Sequence, residues 1–115
     1  MTTAKALKLR RLAAGLMLLS GITHVAQLAF YGAERSAMGA SLFGGIYFVI
    51  GILLLGRTRT ALILGALLPA IGGVLGVYRF LHLHPNPFSV FHVTLDLVVV
   101  PICLYLHARK MPDSH

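Results

Sequence analysis

The chain has 115 residues, of which 57% are hydrophobic and only 11% charged, with a formal net charge of +7 and one cysteine. An average soluble domain carries roughly 25% charged residues, so the composition excludes an ordinary soluble domain and reads as a single integral membrane domain over 1-115. With Cys103 as the only cysteine, an intrachain disulfide and a metal site built on several thiolates are excluded as well.

A basic balance often signals nucleic acid. Here most Lys and Arg residues flank apolar stretches, where they act as topology determinants, so the expected partner is the lipid bilayer and not nucleic acid. The start, MTTAKALKLRR, precedes a first span over 12–31. Its charged beginning and apolar core resemble a secretion signal. About 20 residues, however, is the length that crosses roughly 30 Å of hydrocarbon at ~1.5 Å per residue, and an uncleaved span is expected. A short polar link with Glu34 and Arg35 leads to a second span over 37–56. The basic turn 57–59 leads to a third over 60–81, which contains Pro69 and several glycines. The segment HLHPNP, rich in turn formers, leads to the fourth span, 87–106, and the tail HARKMPDSH ends the sequence.

Lys5, Lys8, Arg10, Arg11, Arg57, Arg59, Arg109 and Lys110 fall on one side of the membrane, Arg35 and Arg79 on the other. This asymmetry predicts an antiparallel four-helix bundle, all-α, with both termini cytoplasmic and the cell (plasma) membrane as its location.

Residues three and four apart share a helix face. Ser20, His24, Gln27 and Tyr31 align in the first span; Ala40, Gly44, Tyr47 and Gly51 in the second; Gly65, Pro69, Gly72, Gly76 and Arg79 in the third; Ser89, His92, Asp96 and Cys103 in the fourth. Lipid offers such faces nothing, so they turn inward, small residues permitting close contact and polar ones finding partners. By depth, His24 and Asp96 each lie roughly 10 to 14 Å from the outer ends of their spans at ~1.5 Å per residue, with Tyr47 level with them. Gln27, Tyr31, Tyr78, Arg79, His82 and His92 are shallower. The polar groups therefore form an outward-facing pocket with Asp96 as its deepest acid. Pro101 withholds a helical hydrogen bond from the Leu97 carbonyl beside that acid.

Three uses fit these residues. His24, His92 and Asp96 supply imidazole and carboxylate ligands for a metal ion, with His92 and Asp96 spaced i, i+4; His82 and His84 offer a second pair in the loop. A histidine near a buried carboxylate handles protons, and with Gln27, Tyr47 and Arg79 it suits a quinone headgroup or other small polar ligand. The third use is structural, an interhelical His24 to Asp96 hydrogen bond. A haem between His24 and His92 is disfavoured by their offset of about one helical turn. Nucleophilic catalysis and phosphate binding have no supporting motif, no catalytic residue is assigned and no cofactor is identified.

The plan resembles the DoxX-like group of small four-span membrane proteins through RRLAAGLMLLSGITHV (10–25), GILLLGRTRTALILGALL (51–68) and HPNPF (84–88), about half of the chain. The resemblance implies an accessory subunit or quinone-linked component of a membrane oxidoreductase system, within a larger membrane complex or a homodimer. Small multidrug transporters share the length and span count but have an acid in the first helix, where this chain has His24. The expected function is a redox-linked accessory subunit whose pocket, formed by His24, Gln27, Tyr47, Arg79, His92 and Asp96, binds quinone or a metal ion. The alternatives are a proton-coupled transporter using Asp96 and His24, and a structural assembly subunit.

Overall fold

The computed structural model describes residues 3–32, 35–83 and 85–109. Glu34, His84, Lys110 and the rest of the tail, to which the sequence assigns linking, loop and topological roles, lie outside the described residues. The chain is all-α: α1 is Thr3–Tyr31, α2 Arg35–Leu54, α3 Arg59–Tyr78 and α4 Pro87–Ala108, with a π-helical turn at Arg79–Leu83 extending α3. Among the described residues, α1, the continuous segment Arg59–Leu83 and α4 are each long and apolar enough to cross a membrane, while the apolar part of α2, Met38–Leu54, is shorter. At 20 residues the whole of α2 still rises about 30 Å.

The helix limits differ from the expected spans for local reasons. Helix α1 begins at Thr3, so the basic start is itself helical. It stops at Gly32, whose φ of 68° is the left-handed conformation that closes a helix, and whose N–H donates to the Leu28 carbonyl. Helix α2 ends at Leu54 instead of residue 56, because the N–H groups of Leu55 and Gly56 turn back to the Ile52 and Leu53 carbonyls. At the start of α4, Asn86 accepts from the Ser89 N–H through its side chain, and Pro87 occupies the first helical position, where its missing N–H costs nothing.

Hydrogen bonds across helix ends show the direction of each helix. Arg10, early in α1, donates from Nε to the Leu54 carbonyl and from Nη2 to that of Thr58, both at 2.8 Å, so the start of α1 lies beside the end of α2. Arg59, opening α3, donates to the His107 carbonyl near the end of α4. Each guanidinium thereby satisfies a carbonyl at a helix C-terminus, that of Leu54 in α2 and His107 in α4, where positive charge is also favoured by the helix dipole. The helices run up, down, up, down. The pairs α1/α2 and α3/α4 make the most extensive contacts, and α1/α4 and α2/α3 close the bundle.

The bundle divides along its axis. Near the described ends of the chain, Ala13, Ala14, Met17, Leu54, Leu62, Val99, Cys103 and Leu106 form an apolar core. Towards the opposite end, the buried side chains are His24, Gln27, Tyr47, Arg79, Asn86, Ser89, His92 and Asp96. Leucine, isoleucine, valine and phenylalanine cover the outside, among them Phe30, Leu42, Val74 and Leu97.

Where apolar exteriors give helices no hydrophobic reason to associate, close packing of small residues holds them. Helices α1 and α2 meet backbone to backbone at Gly21 and Gly44: a Cβ on Gly44 would lie 2.5 Å from the His24 Cβ and 2.8 Å from the Gly21 oxygen. On α3, a Cβ at Gly65 would meet the Cys103 sulfur at 2.7 Å, so the lone thiol is a packing group. Gly44→Ala is therefore expected to cost about 1 to 3 kcal/mol, the usual range for overpacking, measured by unfolding in detergent. Gly45→Ala, at a site with nothing within 4 Å, should leave stability unchanged or slightly raised.

Candidate functional site

The inward stripes meet at the end of the bundle away from the termini. His24 and Gln27 come from α1, Tyr47 from α2, Arg79 from the π-helical turn, and Ser89, His92 and Asp96 from α4, all buried. The π-helical widening matters here because Arg79 is buried while its neighbours Tyr78 and Phe80 are exposed.

His24 and His92 stack, with ring centroids 3.5 Å apart and planes 12° from parallel. The two rings lie level, not one turn apart as the residue count suggests, and at this separation no haem fits between them. One partner defines the tautomer of His24. Its Nδ1 lies 2.7 Å from the Ser20 carbonyl. A carbonyl only accepts, so Nδ1 carries the proton and Nε2 of the neutral ring is the acceptor. The Thr23 hydroxyl lies 3.0 and 3.1 Å from the Leu19 and Ser20 carbonyls and 2.7 Å from Nε2 of His92. Thr23 thereby ties the His92 ring to α1.

Gln27 and Arg79 face each other. Arg79 Nη1 donates to Gln27 Oε1, and its guanidinium lies 5.9 Å from the centre of the Tyr31 ring, within the range of a cation–π contact. Because arginine only donates, this pair also sets the amide orientation and leaves Nε2 of the completely buried Gln27 with no hydrogen-bond partner among the described residues. A buried donor without a partner costs about 1 to 3 kcal/mol.

A cavity of about 310 Å³ opens beside these groups, lined by His24, Gln27, Arg79, Ser89 and His92 on its polar side and by Phe43, Leu75 and Leu83 among the apolar residues. Its volume sits at the lower end for small-molecule sites, and a few polar groups converging on an apolar lining is the usual composition of such a site.

Tyr47 and Asp96 are placed differently. The Tyr47 ring meets the edge of His24 at a centroid distance of 5.2 Å. Its hydroxyl donates to the Leu68 carbonyl at 3.4 Å and lies near enough to the Asp96 side chain to interact with it electrostatically. The phenol passes α3 where Gly72 has no side chain; a Cβ there would collide with the hydroxyl. Asp96 lines not the cavity but a separate groove between α3 and α4.

Of the six expected ligand-binding residues, His24, Gln27, Arg79 and His92 share the cavity, while Tyr47 stands behind it and Asp96 faces the other way. The direct His24 to Asp96 hydrogen bond is replaced by the sequence His24, Tyr47, Asp96. The three-ligand metal site of His24, His92 and Asp96 is not assembled: no three metal-ligating side chains converge among the described residues. Stacked imidazoles direct their nitrogen lone pairs in parallel planes instead of towards one ion, and the carboxyl group is on the far side of Tyr47. His82, expected in the loop, lies instead in the π-helical turn, where it packs on Tyr78 at 4.8 Å.

Thr23 and Ser89 also reach the site, Ser89 on the inward line of α4. Thr23 is one residue off the α1 stripe, so spacing alone does not single it out, although a hydroxyl beside His24 is within reach of the neighbouring helix. Ser89 is held by the Asn86 cap, for which the dipeptide Asn86-Pro87 is a readable signal. A double-mutant cycle of Tyr47→Phe and Asp96→Asn should give a coupling energy of about 0.6 kcal/mol, and no more than ~1.7, as interhelical hydrogen bonds between membrane helices do. Additive effects in that unfolding measurement would mean that the two side chains do not interact.

None of the known protein families, curated proteins or solved structures compared with this chain matches it.

Proposed function

We propose that this chain is a small multi-pass subunit of the cell membrane, both ends cytoplasmic, whose outward-facing cavity holds the headgroup of a quinone-type ligand. The observation that carries the reading is the donor and acceptor pattern of the cavity. Gln27 offers an N–H that nothing among the described residues accepts, suited to a quinone carbonyl. His24 offers a nitrogen acceptor, suited to the hydroxyl of the reduced form, and the His92 ring is stacked beside it. The flat, apolar body of such a ring matches Phe43 and Leu75 in the lining.

The membrane part of the reading is supported by three helices of spanning length and apolarity, by the apolar exterior, and by Lys5, Lys8, Arg10, Arg11, Arg57, Arg59 and Arg109, which gather at one end of the bundle. Likeness to DoxX-like proteins in 10–25, 51–68 and 84–88 adds the redox-linked role, in which electrons are exchanged by a partner oxidoreductase in a larger complex. The second reading is a proton-coupled transporter; the observation favouring it is that Tyr47 contacts both His24 and Asp96.

Menadione, titrated calorimetrically against the chain in lipid nanodiscs, is expected to bind saturably. Gln27→Leu should weaken binding roughly tenfold, the effect of one neutral hydrogen bond. Absence of binding, or equal binding by the variant, overturns the reading. Uptake into vesicles that is driven by a pH gradient and lost in Asp96→Asn would favour the transporter instead.

A further inference from the structure

The groove that contains Asp96 is distinct from the cavity. It measures about 490 Å³ and runs along the outer surface between α3 and α4, lined by Pro69, Ala70, Val74, Leu97 and Val100 among others. Val74 and Leu97, at 71% and 70% exposure, form its rim and open it to the surroundings of the bundle. Asp96 is the one polar residue in this lining and is itself only 5% exposed.

Three features give the groove a definite chemistry. First, Asp96 is the only carboxylic side chain among the described residues, and none of the described cations pairs with it. Second, the polar side chain beside it is the Tyr47 hydroxyl, which donates to the Leu68 carbonyl. An ionised carboxylate has about four acceptor sites, so a single hydroxyl leaves most of them to whatever occupies the groove. Third, the wall opposite is Gly73, where a Cβ would lie in ordinary contact, 3.5 Å from Asp96 Oδ2; the absence of a longer side chain leaves the groove side of the carboxyl group open. An acid at this depth is costly unless something meets it, which marks it as a site.

We propose that the α3/α4 groove binds a lipophilic monocation, its apolar body against Pro69, Ala70, Val74 and Leu97 and its charge against the Asp96 carboxylate. The occupant follows from charge complementarity: the walls recognise hydrocarbon, and the one polar group at the base is an acid held from behind by Tyr47. The entrance lies between two helices and not at the end of the bundle, so the ligand arrives from the apolar phase. This site is independent of the quinone-type cavity, which lies on the other side of Tyr47.

Equilibrium dialysis of tetraphenylphosphonium against the intact chain in dodecylmaltoside micelles tests it. The expected result is saturable binding at one site per chain. Asp96→Asn should weaken it at least about thirtyfold, as loss of one partner of a buried charge pair does. Ala70→Phe, which fills the groove while leaving Asp96 and Tyr47 in place, should weaken it as well, and Gln27→Leu should not. Equal binding of the neutral triphenylphosphine oxide, unsaturable uptake, or full binding by Asp96→Asn or Ala70→Phe each overturns the proposal.

Discussion

The polar half of the bundle is joined through one crossing, that of the Tyr47 side chain over Gly72. A phenol from α2 reaches the acid on α4 only because α3 presents no side chain at that level. On the way its ring presses against His24, which is in turn stacked on His92. All four helices thus contribute to a single set of contacts, and its geometry depends on one missing methyl group. In an apolar setting, buried polar groups have no water to turn to. The crossing supplies partners to groups that would otherwise be unsatisfied.

Packing and chemistry are separated along the helix axis. The half near the termini is filled by alanine, leucine, valine and the Cys103 thiol, with Arg10 and Arg59 closing the C-terminal ends of α2 and α4. That arrangement gives charged side chains at one end of the bundle a structural role, satisfying carbonyls that the helices themselves leave open. The other half, widened by the π-helical turn, is less completely filled and holds the cavity. Such widenings recur at functional sites because one extra residue per turn redirects a side chain; here the residue redirected inward is Arg79.

Two openings flank the same contact. On one side, an imidazole acceptor and amide and guanidinium donors suit a ligand with both hydroxyl and carbonyl groups. On the other, an acid stands alone among hydrocarbon. Tyr47 lies between them, its ring against His24 and its hydroxyl near Asp96.

Much of this was legible in the sequence. Span length and hydropathy are local properties, so four helices and their order follow from runs of apolar residues. The i, i+3, i+4 spacing is equally local, and it picked out the buried faces: Ser20, His24 and Gln27 in α1, Gly44 and Tyr47 in α2, His92, Asp96 and Cys103 in α4. What only the tertiary structure decided is which of those residues meet. Counting residues from a helix end assumes straight, equally tilted helices, and under that assumption His24 pairs with Asp96. In the folded chain, close approach at Gly21 and Gly44, the passage over Gly72 and the turn at Arg79 alter depth and rotation by a few ångströms. That is enough to stack His24 on His92 and to turn Asp96 to another face. Partner choice depends on the relative axial position of two helices, a quantity that no single helix encodes.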